Sequence, residues 1–444
     1  MTGAIRRAAV TAGVVLAAAA PAQGASWRAP VDLGDDLYTP NRAGLRVDAS
    51  GRLLLSRKVG AKHDIVRYGL DSKQVGRCRV PELDERTFVY RWTSNRAGAV
   101  AVAFYDQDRL PSFRLVSAAA GHCFQRRSTE LFRDRDANMD ALAIGPLGTV
   151  VAAWRKDSRK GSLPRFHSGP AGGRLAYRGG VPGSKAGRGR QGAMPGPMAG
   201  DRVVWTWPIY GPGPPTTSVA LWSTESGPRA GRAGAAREVA TDTYGESFGQ
   251  HLGMAPVLTA SGGSQVAAWA DSAVSELSVI ARRRGRRFGA TRTFSTPIDG
   301  FTPMRGAIDE AGDAVFAWTS DQDVHALVRR RDGTIVGPQL LSGVGRVESN
   351  DPDVAIDGRG RAVVAWTDQD HDSTSIEEGE IRVAVSAPDG RFGPSRVVSG
   401  PVASLDREAH VDANERGQVA VIWQRYRWVG FNMRSSTVVA RGTL

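Results

Sequence analysis

One short phrase returns throughout this chain: a glycine, five residues, then a large aromatic. It occurs as Gly98 to Phe104, Gly148 to Trp154, Gly263 to Trp269, Gly312 to Trp318, Gly360 to Trp366 and Gly417 to Trp423. Two weaker copies complete the series. "RVDASGRLLLS" has its turn at Gly51 and no aromatic, and "AGDRVVWTW" around Gly200 carries Trp205 and Trp207. From Phe104 the anchors lie about 50 residues apart, with longer gaps before Trp269 and Trp423, which is the size of a four-stranded propeller blade. A repeat of this kind overrides the two or three domains that 444 residues would otherwise imply.

The cleanest unit shows the internal grammar. "DVAID" reads as a short strand, "GRG" as a tight turn, "RAVVAW" as a second strand, "IRVAVS" as a third, "APDGRFGPS" as a hairpin and "RVVSG" as a fourth. The alternation in "RVAVS" marks a half-buried strand, whereas "AVVAW" is apolar on both faces and fits a strand sandwiched between sheets. Its alanines let neighbouring sheets approach, and one aromatic per unit fills the space farther out. No window after the N-terminal segment sustains a helical period, so the chain is predicted to be almost all β.

The chain ends in "SSTVVARGTL", a third strand with no fourth behind it, while Trp27 to Leu33, "WRAPVDL", resembles fourth strands elsewhere, such as "FGPSRVV". The expectation is therefore a single β-propeller of four-stranded blades over 25–444, closed by the N-terminal strand joining the last blade. Eight copies predict eight blades, with seven as the alternative. Gly- and Pro-rich stretches within 161–217 read as loop insertions around the fourth unit.

Arg6 and Arg7 precede an apolar run from Ala8 to Ala20 and the small residues "APAQGAS", so 1–24 reads as a secretory signal peptide, too short to span a membrane. No later segment is apolar enough to cross one, and a secreted, extracellular protein follows. Cys78 and Cys123, the two cysteines, either pair or remain packed thiols. Formal charge is +13, which attracts anionic partners such as cell-wall polymer. Because 52 of the 58 basic residues are arginine, the excess looks compositional and does not point to specific nucleic-acid binding.

In these repeats the chain resembles the secreted β-propellers of bacteria, including the sialidase-like group with Asp-box turns. The box of that group places its aromatic three residues after the glycine. Here "AIDEAGDAVFAW" puts Trp318 six after Gly312, so the resemblance is one of repeat pattern and carries no sialidase activity with it.

In a four-stranded meander the second-to-third loops share one rim with the blade-to-blade loops. That rim is predicted to be acidic, holding Asp106, Asp108, Asp321, Asp323, Asp368, Asp370, Asp372, Glu377, Glu378 and Glu380, with Asp134, Asp136, Asp242, Glu246, Asp406 and Glu408 between units. The other rim receives the arginine runs 282–287 and 329–331, with Arg52, Arg96, Arg359, Arg361 and Arg416 in the tight turns. The triplet "DQD" recurs at Asp106, Asp321 and Asp368. Alternating carboxylates at Asp368, Asp370 and Asp372 could converge on calcium, although the glycine and distal glutamate of a full calcium loop are missing. The other reading is solvated turn aspartates.

Catalytic signatures are mostly lacking: there is no G-x-S-x-G elbow, H-E-x-x-H, phosphate loop or metal-spaced cysteine set. "TDTYGESFGQH" gathers Asp242, Tyr244, Glu246 and His251, a set that would suit a polysaccharide hydrolase or lyase. Exposed aromatics beside carboxylates suit ligand gripping, and Tyr426, Trp428, Phe431 and Tyr105 are the candidates. The leading expectation is a secreted, monomeric, non-enzymatic propeller that binds an extracellular glycan or protein through its acidic rim, with calcium as a conceivable stiffener of the loops. Attachment of the basic rim to anionic cell wall is a further route.

Overall fold

The computed structural model describes residues 25–34, 45–59, 62–81, 87–106, 112–124, 127–134, 137–156, 163–180, 194–195, 203–210, 217–226, 237–244, 257–260, 262–271, 275–284, 286–298, 304–342, 347–370, 379–400, 405–430 and 432–444. Among them the chain is all strand and turn, with no helix and hence none long and apolar enough to cross a membrane.

The repeated glycine makes a turn that other residues reach only under strain. Gly51, Gly98, Gly148, Gly263, Gly312, Gly360 and Gly417 all have φ between 75° and 95°, where a Cβ would crowd the backbone. The structure adds a partner that the spacing did not single out. Three residues before five of these glycines stands Asp48, Asn95, Asp309, Asp357 or Asn414, whose side-chain oxygen accepts backbone N–H groups across the turn. Asp48 accepts from Ser50 and Arg52 at 2.8 and 2.9 Å, Asp357 from Arg359 and Arg361 at 2.9 Å, and Asn414 from Arg416 and Gln418 at 3.0 and 3.1 Å.

Asp309 fills this role while buried. Its Oδ1 accepts from Gly312 and Asp313 N–H at 2.8 and 2.9 Å, and its Oδ2 has no hydrogen-bond partner among the described residues. Burial, and then the charge of Asp313, push its pKa up to about 6 against the opposing backbone N–H groups. A carboxyl whose folded pKa lies above its unfolded value binds its proton more tightly in the native state. It therefore costs stability progressively as pH rises from about 4 to about 6, and the cost persists above. Asparagine serves at the same place in Asn95 and Asn414. Asp309→Asn is thus expected to leave stability unchanged near pH 4 and to raise it at pH 7 by on the order of 2–3 kcal/mol, read by urea denaturation at the two pH values.

Six four-stranded antiparallel meanders occupy 45–79, 87–133, 137–180, 194–244, 257–295 and 305–340, the first to sixth sheets in chain order. A nine-stranded sheet follows and divides into two such units. The seventh comprises Val347–Ile356, Ala362–Asp370, Gly379–Val385 and Arg396–Val397. The eighth comprises Leu405–Ala413, Gln418–Val429 and Asn432–Thr443, completed by Ser26–Trp27 and Val31–Asp32 from the other end of the chain. A single parallel bridge, Gly379 to Leu405, joins them. This architecture is consistent with a β-propeller.

The N-terminal segment pairs where the sequence places it, with Ser26 opposite Thr443, Trp27 opposite Gly442, Val31 opposite Val439 and Asp32 opposite Val438. Core side chains lie in the seams between sheets. Phe104 fills the seam between the first and second sheets, Trp154 between the second and third, Trp318 between the fifth and sixth, Trp366 between the sixth and seventh, and Trp423 between the seventh and eighth. Each aromatic thus packs toward the preceding sheet, while the buried alanine just before it, such as Ala103, Ala317 or Ala365, lies in the following seam. The eighth sheet meets the first through Ala420, Ile422 and Val439 against Leu53, Leu55 and Val66.

Cys78 and Cys123 form a disulfide with a Cα–Cα separation of 5.1 Å, tying the outer strand of the first sheet to the segment that leads into the outer strand of the second. Of the two alternatives the cysteines left open, the pair is the one realised. The stretch 161–217 is not loop throughout, since it supplies Leu163–Pro170, Ala176–Gly180, Met194–Pro195 and Val203–Tyr210 to the third and fourth sheets. Its remaining Gly- and Pro-rich pieces lie outside the described residues.

Candidate functional site

Two of the three "DQD" copies, alike in sequence, take different local structures; of the first copy, Asp106 ends a strand and Gln107 and Asp108 lie outside the described residues. Asp321 and Gln322 have φ of 49° and 69° and form the two-residue link between Ser320 and Asp323, a geometry matched to the twist of a hairpin. Asp323 then accepts from the Ser342 hydroxyl at 2.8 Å, and that hydroxyl accepts in turn from the N–H of Val324. At Asp368 the chain is still strand, running to Asp370. Asp368 is buried and ion-paired with Arg382 of the adjacent strand at 2.6 Å, and Arg382 also reaches Glu380 at 3.2 Å. The loop placement expected for Asp368 and Asp370 is thereby corrected: the seventh sheet is simply longer here. Asp372 and the side chain of Asp370 lie outside the described residues. A cation at Asp368 would have to compete with a guanidinium, and among the described residues no three His, Cys, Asp or Glu side chains gather to hold a metal.

The acidic segment and the aromatic hairpin, far apart in sequence, end side by side. Gly379 bridges Leu405, and Leu405 pairs with Tyr426, so the three backbones run in adjacent tracks about 10 Å across. Glycine is needed at 379 because a Cβ there would lie 2.5 Å from the carbonyl oxygen of Asp406. Beneath Tyr426 sits the most buried ion pair of this region. Arg425 and Asp406, 5% and 1% exposed, form a two-pronged pair in which Nε and Nη2 each stand 2.9 Å from a carboxylate oxygen. Nη2 also donates to the Ser399 carbonyl at 2.6 Å, and the guanidinium lies 5.7 Å over the Trp423 ring.

From that anchor the hairpin of the eighth sheet projects. It runs from Trp423 to Val429 before turning at Gly430, whereas the sixth sheet turns just after Ser320, two residues beyond Trp318. About four extra residues at roughly 3.4 Å each carry the tip some 14 Å beyond its counterpart. Near the tip Arg427 stands directly opposite Arg434, a like-charge pair that disfavours the hairpin in isolation, and Val429 and Met433 are each half exposed. Tyr426 is partly buried, and its phenol pKa is raised, first by burial and then by the charge of Glu408. The backbone of Trp428 pairs with Met433, but its side chain and all of Phe431 lie outside the described residues.

The other candidates do not join this group. Tyr105 packs on Phe113 at 4.8 Å in the seam of the second and third sheets, where it serves the core. Asp242 and Tyr244 fall on Arg237–Tyr244, the last strand of the fourth sheet, opposite Val219 and Thr217. Their side chains, and Glu246 and His251 entirely, lie outside the described residues. A serine–histidine pair that sequence spacing does not flag, Ser56 with His63, is sealed between sheets. Burial lowers the His63 pKa to about 4, so it is a neutral internal hydrogen bond without access to substrate.

Charge is sorted between the rims less sharply than the loops imply. The turn rim holds Asp48, Asp309, Asp313 and Asp357 beside its arginines, with Arg361 paired to Asp357 at 2.8 Å, Arg330 to Asp313 at 3.5 Å, and Arg96 to Glu415. On the opposite rim the carboxylates of Asp368, Glu380 and Asp406 are met by Arg382 and Arg425.

No protein-family model and no curated protein matches the chain. Among solved structures it is similar to a protein of unknown function from Dyadobacter fermentans DSM 18053, with 10% identity, a TM-score of 0.39, and coverage of 94% of this chain and 99% of that one. It is also similar to prolyl oligopeptidase B from Galerina marginata, with 9% identity, a TM-score of 0.48 and coverage of 86% of this chain, which spans only 55% of the peptidase. A third is the polysaccharide lyase Uly1, with 10% identity, a TM-score of 0.43, and coverage of 91% and 90%. Likeness at this level carries no functional argument, and the reading below rests on the site alone.

Proposed function

We propose that the sheets close into an eight-bladed ring, that the protein is exported, and that it binds an extracellular glycan or protein without catalysis. The binding surface lies between the acidic segment 368–380 and the hairpin tip from Tyr426 to Phe431. The observation that carries this reading is the adjacency of Gly379, Leu405 and Tyr426, which sets Gly379 and Glu380, at the end of the carboxylate-rich segment, beside an overlong hairpin bearing aromatic, apolar and arginine residues. The disulfide supports export, since such bonds persist in oxidising compartments. Tyr105, committed to packing, is left out of the surface. Calcium is left out as well, because Arg382 already neutralises Asp368.

Glycan-array screening followed by titration against the best hit tests the proposal. Trp428→Ala is expected to weaken binding about 30-fold, the effect of deleting a stacking anchor, while Glu246→Gln leaves it unchanged. Turnover of a polysaccharide that disappears in Glu246→Gln would replace the proposal with a hydrolase or lyase acting through Asp242, Tyr244, Glu246 and His251. Binding that survives Trp428→Ala but vanishes at modest salt would move the function to the arginine-rich rim and an anionic wall polymer.

A further inference from the structure

The far end of the same hairpin, on the turn rim, holds a small cavity of about 140 Å³ where the two ends of the chain meet. Ser26 and Arg28 of the N-terminal segment line it, with Gly51 and Leu70 of the first sheet and Gln418 and Arg441 of the eighth. Arg441 is the unusual member. It is 8% exposed, and only its Nη1 has an acceptor, the Gly51 carbonyl at 3.1 Å. Its Nε and Nη2 are buried and find no acceptor among the described residues.

Those two atoms form the edge of a guanidinium that grips a carboxylate or phosphate with two parallel bonds. Among the described residues, Arg425 closes this edge on the two oxygens of Asp406, and Arg361 closes the same atoms on Oδ2 of Asp357 at 2.9 and 2.8 Å. At Arg441 the edge is presented without a protein carboxylate. The nearest acidic influences are Asp71 and Asp48, and Asp48 spends its Oδ1 on the Ser50 and Arg52 turn. A second cation, Arg28, is close enough to repel Arg441. Burial, with that repulsion, lowers the Arg441 pKa to about 10, which still leaves it charged at neutral pH. A buried charge with two of its three nitrogens unmet is costly unless something answers it.

We propose that Arg441, with Arg28, forms a binding site for a small oxyanion, the shared chemistry of sulfate, phosphate and a carboxylate group. The cavity is well below the 300–1,000 Å³ or so of sites for whole small molecules, so it takes an ion or the acidic end of a longer ligand. It lies at the opposite rim from the proposed glycan or protein surface and is independent of it. The ligand would also act on architecture. Arg28 N–H donates to the Arg441 carbonyl at 2.8 Å, and Arg28 Nη1 donates to the Leu70 carbonyl at 3.1 Å, so an anion held by both guanidiniums would fasten the N-terminal strand to the first and eighth sheets together.

Thermal unfolding of the full chain tests this, with sodium sulfate, phosphate and formate titrated separately at low millimolar concentration and ionic strength matched by chloride. Low concentrations matter because sulfate stabilises most proteins non-specifically when concentrated. The expected result is a saturable rise in Tm of a few degrees with at least one oxyanion. Sulfate and phosphate acting without formate would mark a tetrahedral ligand, and formate acting as strongly would mark a carboxylate; either upholds the site. Arg441→Gln is expected to abolish the rise. Should that variant fail to fold, Arg28→Gln, a change at an exposed side chain, is expected to weaken the apparent affinity about tenfold. A Tm that follows ionic strength alone, or a saturable rise retained unchanged in Arg28→Gln and Arg441→Gln, would overturn the proposal.

Discussion

Asp406→Ala is expected to lower the stability of the protein by about 3–5 kcal/mol, the range for stripping one partner from a buried ion pair. Asp406 and Arg425 are almost fully enclosed, so little solvation is at hand to replace the carboxylate at the guanidinium. Ser399 O would remain as an acceptor, but a carbonyl dipole cannot balance a full charge at that depth. Chemical denaturation reads the loss directly. Replacing both partners, as in Asp406→Leu with Arg425→Met, is expected to restore most of it, because the cost lies in the orphaned charge and not in the missing attraction. Salt should scarcely alter either value, since buried pairs escape screening. The same substitution reaches the proposed binding surface: Leu405 and Tyr426 flank the pair, so Asp406→Ala is expected to loosen the hairpin and to impair ligand binding along with stability.

Removing the disulfide is expected to have an effect of similar size. Cys78 and Cys123 close a loop of 45 residues, and loop-closure entropy assigns such a crosslink about 4 kcal/mol. Cys78→Ser with Cys123→Ser, or reduction of the native protein, should lower Tm in proportion, and the two treatments should agree. The seam they brace keeps its own core of Leu54, Ile65, Trp92 and Phe104, so the first two sheets are expected to remain folded but to open more often. Hydrogen exchange in Gln74–Arg79 and Thr129–Arg133 would report that opening. A reduced protein melting at the native temperature would show that the crosslink adds nothing to packing already complete.

What the sequence made legible follows from how local each constraint is. The turn glycines are readable because a positive φ is a one-residue requirement, and the aromatics at six-residue spacing because alternation carries them into a seam on a fixed side. The pairing of Trp27 to Leu33 with the last sheet is readable as a strand deficit at one end and a surplus at the other. The site is harder. "DQD" is one string, yet it is a hairpin turn at Asp321 and mid-ladder at Asp368, because strand length is decided by the partner strand and not by the triplet. Which arginine answers Asp368 depends on register across a loop, and that register places Arg382 beside it. Tyr105 looks like a surface aromatic beside an aspartate, but the neighbouring sheet brings Phe113 onto it. The open edge of Arg441 has no signature at all in a chain with 52 arginines, since it is defined by which carboxylates fail to arrive.

The pairing of Ser26 with Thr443 sets a condition on how the molecule is made. The segment 26–32 finds its partner in Asn432–Thr443, far later in the chain, so the eighth sheet is finished only when both segments are available. Closing a loop of that length is an entropic step that local hairpins do not face, and it belongs at the end of folding. Until then two sheet edges stand unpaired and open to other chains. Deletion of 433–444 would leave Trp27 and Val31 without a ladder, so that a short cut in one segment undoes another far from it in sequence.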